Sequence, residues 1–156
     1  FSEAGFFCHQ TCIWVKNTPV LGRCAYQYNH EPILMGWKPT AGHQWYADRK
    51  QRTTWNFDRP SKSKYHPTMK PVALVAYPIV NSSLSNSIVL DPFGGSGSTL
   101  IACEQTGRIC HTIELDERYV DVIVERFREF KGFDAEITLL RGGEKMSYEK
   151  AREINN

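Results

Sequence analysis

Asp91-Pro92-Phe93-Gly94-Gly95-Ser96-Gly97-Ser98 follows the apolar run Ile88-Val89-Leu90 and leads into a helix-like stretch from Ser98 to Gln105, closed by Gly107. A buried strand ending in a glycine-rich turn and a helix lets backbone amides approach a ligand closely at the carboxyl edge of a sheet. The spacing Gly94, Gly95, Gly97 is not the GxGxxG of pyrophosphate-binding turns, and no Gly-Lys-Ser/Thr follows, which argues against a phosphate loop. Outward from the turn, Ile109 to Leu115 reads as a second strand and Ile137 to Leu140 as a third. Between them, Asp116 to about Phe130 reads as an amphipathic helix with Tyr119, Val120, Ile123, Val124 and Phe127 on one face. Upstream, Pro71 opens a helix carrying Val72, Leu74, Val75 and Ile79, which Pro78 should kink or end. Strand–helix–strand–helix–strand with short connections predicts an α/β, Rossmann-like fold around a parallel, doubly wound sheet.

Two acids fall at matching strand ends. Asp91 closes the strand before the glycine turn, where a carboxylate repels a pyrophosphate and attracts an ammonium group. Glu114 closes the next strand, where an acid can accept hydrogen bonds from both hydroxyls of a ribose. A ligand with an amino-acid amine and a ribose suits both, and S-adenosylmethionine is such a ligand. The alternative is that both acids only cap the helices after them.

The first half of the chain has a different character. Phe6 to Val15 and Glu31 to Trp37 alternate like strands, separated by turn signals at Asn17-Thr18-Pro19 and Leu21-Gly22-Arg23; Pro32 suits an edge or a strand start. Residues 1–40 are therefore expected to form an antiparallel hairpin. Residues 41–65 are polar, irregular, basic and aromatic, residues 66–140 form the nucleotide-type half, and residues 141–156 a charged tail. Residues 1–70 carry ten Lys/Arg against four Asp/Glu, whereas residues 71–156 carry nine against thirteen, so a net charge of only +2 conceals a basic front and an acidic rear. All four tryptophans also lie in the basic part. Cations interleaved with flat rings are what a nucleic-acid surface needs, although a solvated basic face over core tryptophans has the same composition. The candidates for DNA contact are Arg49, Lys50, Arg52, Trp55, Arg59, Lys62 and Lys64, with Trp45, Tyr46 and Phe57 among them.

Length and composition suit one ordinary domain, and no apolar run approaches a membrane span. Five cysteines without framework spacing point to a reducing cytoplasm rather than a secreted scaffold. Cys8, Cys12, Cys24 and His30 lack a tight Cys-x-x-Cys knuckle, so small buried side chains are favoured over zinc and no metal is assigned. No arrangement of histidines nominates a hydrolytic triad.

Leu90 to Thr99 resembles motif I of the amino-methyltransferases that modify adenine N6 or cytosine N4 in DNA. His66-Pro67-Thr68-Met69-Lys70-Pro71 resembles motif X, which precedes motif I in the β arrangement of that family. Ile13-Trp14-Val15-Lys16 and His30-Glu31-Pro32-Ile33-Leu34 look like the hairpin near motif VIII, with Arg49 to Ser61 as the variable target-recognition region. The resemblance implies S-adenosylmethionine as cofactor. Asp91 would hold the methionine amine, Gly94, Gly95, Ser96 and Gly97 would line its path, and Phe93 would pack along it. Glu114 would hold the ribose, Leu115 would lie against adenine, and Thr68 and Lys70 would contact the methionine carboxylate. Phe93 could equally be a core aromatic, and Lys70 a solvated cation. Double-stranded DNA would be the partner, in a bacterial, phage or prophage cytoplasm.

The same family carries a catalytic Asp/Asn/Ser-Pro-Pro-aromatic tetrapeptide, whose acceptors localise the lone pair of the exocyclic nitrogen while its ring stacks on a flipped base. No such sequence occurs in these 156 residues: Asp58-Arg59-Pro60-Ser61 and Asn17-Thr18-Pro19-Val20 do not match. The chain, which begins at Phe1, therefore reads as a carboxy-terminal portion with no catalytic residue of its own. An upstream segment or a second, different chain would supply the tetrapeptide; a homodimer is a separate expectation. The expected activity is methyl transfer, most readily to adenine N6. The alternatives are cytosine N4, a non-catalytic module binding DNA or S-adenosylmethionine, and a dinucleotide dehydrogenase; Asp91 and motif X disfavour the last.

Overall fold

A computed structural model describes residues 1–60 and 69–154. Strands β1 (Phe7–Val20) and β2 (Tyr28–Trp37) form an antiparallel hairpin, and a short β3 (Thr54–Asn56) pairs parallel to β1, giving the order β2-β1-β3. Alternation decides which face of β1 is covered: Cys12, Trp14 and Lys16 point into the protein, and the residues between them are partly exposed. Pro32 lies on the edge strand β2, where a missing N–H disturbs little.

Three expectations for this half are corrected. Asn17-Thr18-Pro19 does not end β1, which continues to Val20 through a register shift after Val15. The chain reverses instead around Gly22 to Gln27, where the Gln27 side chain accepts from Gly22 N and donates to Cys24 O. The irregular stretch hides β3, whose three residues are too few to show a period. Trp55, at the centre of β3, is a core residue rather than a DNA-facing ring. It is 9% exposed, joins Cys12, Trp14 and Leu74, and donates from its indole to Arg52 O.

Helix α1 (Val72–Ser82) runs on through Pro78 instead of ending there. Proline removes one backbone donor, but both flanks are anchored. Leu74 and Tyr77 pack on the hairpin sheet, and Tyr46 N and Ser83 Oγ donate to the carbonyls of Asn81 and Ile79. Beyond it, α2 (Ser98–Thr106) packs against α1, so α1 stands between the hairpin sheet and the cofactor-type half.

In that half, β4 (Ile88–Asp91) and β5 (Ile109–Thr112) pair parallel, in register from Ile88–Ile109 to Asp91–Thr112. Helix α2 ends at Gly107, whose φ of +70° satisfies the last carbonyls. Helix α3 (Glu117–Lys131) is capped by Asp116, which accepts from Arg118 N. The third strand is not parallel. β6 (Thr138–Arg141) turns back through Gly142-Gly143, both at positive φ, and pairs antiparallel with β7 (Glu144–Ser147). A Gly-Gly pair between strand-like runs is a hairpin signal, and it outweighs the βαβ pattern here. The charged tail carries a helix, α4 (Tyr148–Ile154), which docks on α3, with the Tyr148 ring 4.5 Å from the Arg128 guanidinium and the Tyr148 hydroxyl bonded to Glu125. Among the described residues, no helix is long and apolar enough to cross a membrane.

Candidate functional site

The glycine turn is built by close approach. Gly94 N donates to Ile113 O at 2.9 Å, and Ile113 N donates to Asp91 O at 2.9 Å, stitching the turn to the chain leaving β5. A Cβ on Gly94 would lie 2.6 Å from Thr112 Oγ1 and 2.9 Å from Ile123 Cδ1, so only glycine fits. Gly97, at φ +75°, passes the chain into α2. From α3, Arg126 reaches back and donates to Ser96 O, Ser96 Oγ and Ser98 Oγ at 2.8–3.0 Å. The turn is thus held from beneath by side chains that its own sequence does not reveal.

Glu114 sits opposite. Its carboxylate accepts from Gly95 N at 2.6 Å through one oxygen, and from Leu115 N and Asp116 N at 2.9 and 3.0 Å through the other. The amides of Asp116, Gly95 and Leu115 hold its pKa below the usual carboxylate range, so it is anionic at neutral pH. An ionised carboxylate has about four acceptor sites and three are taken, so about one is left to receive a hydroxyl donor from a ligand. Asp91 spends one oxygen on Phe93 N at 3.0 Å. The capping alternative therefore fails for Glu114, since Asp116 is the N-cap of α3.

Asp91, Phe93, Gly94, Gly95, Ser96 and Glu114 line a cleft of about 380 Å³, together with Met69, Lys70, Val75, Ser98, Thr99 and Tyr119. A second concavity continues past Glu114 along Leu115, Asp116 and Tyr119. Phe93 is 85% exposed and Leu115 fully exposed, so Phe93 is not a core aromatic. Two large apolar side chains thus stand beside the polar cleft. The arrangement suits an elongated ligand with a cationic end near Asp91, a diol near Glu114 and a flat apolar end near Leu115. Tyr119, Arg126, Ser98 and Thr99 were not foreseen as site residues, and only the helical phase of Tyr119 could have placed it near the turn. Thr68 lies outside the described residues, as do Lys62, Lys64, His66 and Pro67.

The basic candidates fall in a different place. Arg49, Lys50 and Arg52 are exposed on the stretch that crosses α1, fastened by Tyr46 N to Asn81 O and by the Tyr77 hydroxyl to Gln51. Arg49 and Arg52 border a cavity of about 510 Å³ with Trp45, Trp55 and Tyr77. Arg59 is half-buried, its amide bonded to Asn17.

A parallel βαβ unit whose glycine turn lines one cleft with Asp91, at the end of β4, and Glu114, just past the end of β5, defines an α/β protein with a nucleoside-type ligand cleft. Residues 1–125 match the family model for N6/N4 methyltransferases, described as DNA methylase, and the chain belongs to that family. It is 35% identical over 103 residues to the type II methyltransferase M.HinfI of Haemophilus influenzae, covering 60% of this chain and 28% of that protein. Among solved structures, the complex of M1.HpyAVI with S-adenosylmethionine matches with a TM-score of 0.68 at 32% identity, over 80% of this chain and 64% of the other. The cytosine-N4-specific PvuII DNA methyltransferase has a TM-score of 0.69 over 98% of this chain and 57% of that one, but at 18% identity it speaks for the fold alone. The matched region spans about a quarter of the length of the curated relatives.

Proposed function

We propose that this chain is the cofactor-binding part of a DNA methyltransferase that uses S-adenosylmethionine to methylate an exocyclic amino group, with adenine N6 as the acceptor and cytosine N4 as the alternative. The observation that carries the reading is that Asp91 and Glu114 line one cleft with a glycine turn whose Gly95 amide bonds directly to Glu114. When bound, S-adenosylmethionine supplies an activated methyl group on a sulfonium sulfur. Asp91 orients the amine and Glu114 accepts from the ribose. Phe93 and Leu115 cover the apolar surfaces, and Lys70 balances the carboxylate. Burying that ligand against fixed donors and acceptors sets the direction in which the methyl points.

The acceptor side calls for groups that these 156 residues do not contain, since no Pro-Pro pair occurs among them. Calorimetry on the pure chain is expected to show binding of S-adenosylmethionine and none of NAD; the reverse preference would refute the reading. The chain alone is expected to incorporate no labelled methyl into DNA. Supplying a family segment that bears the tetrapeptide should restore incorporation, and digestion of the product then reports N6-methyladenine or N4-methylcytosine. Incorporation by the chain alone would overturn the proposed division of the active site.

Arg49, Lys50 and Arg52 are proposed to contact phosphates, which fix position without reading sequence. Reversing all three charges together should lower DNA affinity at low salt by roughly 100-fold and flatten its salt dependence. Unchanged affinity in a gel-shift titration would remove these residues from the interface.

A further inference from the structure

Lys16 belongs to the row of β1 that faces inward, yet it is a cation, and its side chain is only 6% exposed. Its ammonium lies 2.6 Å from Glu31 Oε1, on the neighbouring strand β2. The other oxygen, Oε2, is 2.8 Å from the ammonium of Lys70, far along the chain at the approach to α1. Both ammonium groups also lie over the ring of Trp14, 5.1 and 5.4 Å from its centroid. Trp14 is itself fixed by its indole N–H donating to Phe57 O at 2.7 Å. Two cations therefore share one carboxylate above one aromatic face. Burial favours the neutral acid, but the hydrogen bonds from Lys16 and Lys70 outweigh it and hold the Glu31 pKa below the usual range.

Lys70 is also held through its backbone, because Ser98 Oγ, at the start of α2, donates to Lys70 O at 2.8 Å. It lines the same cleft as Asp91 and Glu114. Lys16 and Glu31 neutralise one another, so the group as a whole offers one net positive charge, at the end of the cleft where Lys70 stands. An ammonium on a flexible stem is a poor recogniser of an anion unless something fixes it, and here the fixing residue comes from the hairpin.

We propose that Glu31 is a positioning residue for the cofactor cleft, holding the Lys70 ammonium where it meets the carboxylate of the ligand's amino-acid end. This inference rests on the reading of the cleft as a site for S-adenosylmethionine.

The test compares two ligands by calorimetry, S-adenosylmethionine and 5′-methylthioadenosine, which keeps the ribose and adenine but lacks the amino-acid end. Glu31→Gln should weaken binding of the first roughly tenfold, the size of one charge-assisted contact, and leave the second within about twofold. Because that change strands Lys16 as a buried unpaired cation, the double variant Lys16→Met with Glu31→Gln is measured beside it, and the same loss of preference is expected. Glu31→Asp should recover part of the preference. If the wild-type chain binds both ligands and the double variant retains the wild-type preference, or loses both ligands equally, the positioning role is overturned while the cofactor reading stands. If the folded wild-type chain binds neither ligand, the cofactor reading falls and the inference with it.

Discussion

Glu114→Ala should lower the affinity of the chain for S-adenosylmethionine by about 100-fold or more, the largest loss expected from any one side chain of the cleft. The ligand would lose an anionic acceptor for its ribose, and hydrogen bonds in which one partner is ionised are the stronger ones. The amides of Gly95, Leu115 and Asp116 would lose their common acceptor as well, so the glycine turn would relax away from the β5 exit. Glu114→Gln separates the two effects. The neutral amide keeps one acceptor oxygen and can hold at most part of this set, so it should fall between alanine and wild type. Calorimetric affinities for the three proteins check the order, and an alanine variant that binds normally would remove Glu114 from the site.

Gly94→Ala is expected to be nearly as damaging, through sterics alone. Its Cβ would collide with Thr112 Oγ1 and Ile123 Cδ1 at distances no relaxed structure tolerates. Ile123 is a buried residue of α3, so relief requires Thr112 and Ile123 to leave their rotamers together or the turn to move. Overpacking of this kind costs about 1–3 kcal/mol, and displacement of the turn should carry the Gly95 amide away from Glu114. The expected result is a lower melting temperature with at least a tenfold weaker affinity for S-adenosylmethionine. Ile123→Val in the same chain makes room on one side and should recover part of both. A Gly94→Ala protein as stable and as tight-binding as wild type would mean that the packing around the turn is looser than described.

The elements legible in the sequence are those governed by neighbours in the chain. Ile88 to Leu90, the glycine turn, α2 with its Gly107 terminator and α3 with its Asp116 cap follow from local rules, and so does the placing of Asp91 at a strand end, whereas the second strand stops at Thr112 and leaves Glu114 two residues beyond it. What escaped was decided at a distance. β3 exists only because Trp55 lies beside Trp14 on β1, a pairing that no local period announces. The buried row of β1 contains Lys16, which reads as a surface residue until Glu31 and Lys70 are seen beside it. Trp55 shows the limit of composition, since a tryptophan among arginines looks the same in sequence whether it stacks on a base or fills a core. β6 pairs antiparallel with β7 because Gly142-Gly143 closes a hairpin, where the strand–helix–strand–helix frame predicts a further parallel strand.

Helix α1 packs its Leu74 and Tyr77 on the hairpin sheet and lies against α2 on the cofactor side. Among the described residues it is a wall that both rooms share. A disturbance that loosens it, on either side, is transmitted to the other without any change in the residues that touch a ligand. The two halves should accordingly melt as one cooperative unit, with the amides of α1 among the last to exchange with solvent. A chain that reads in sequence as separate segments is thus expected to behave, thermodynamically, as a single piece.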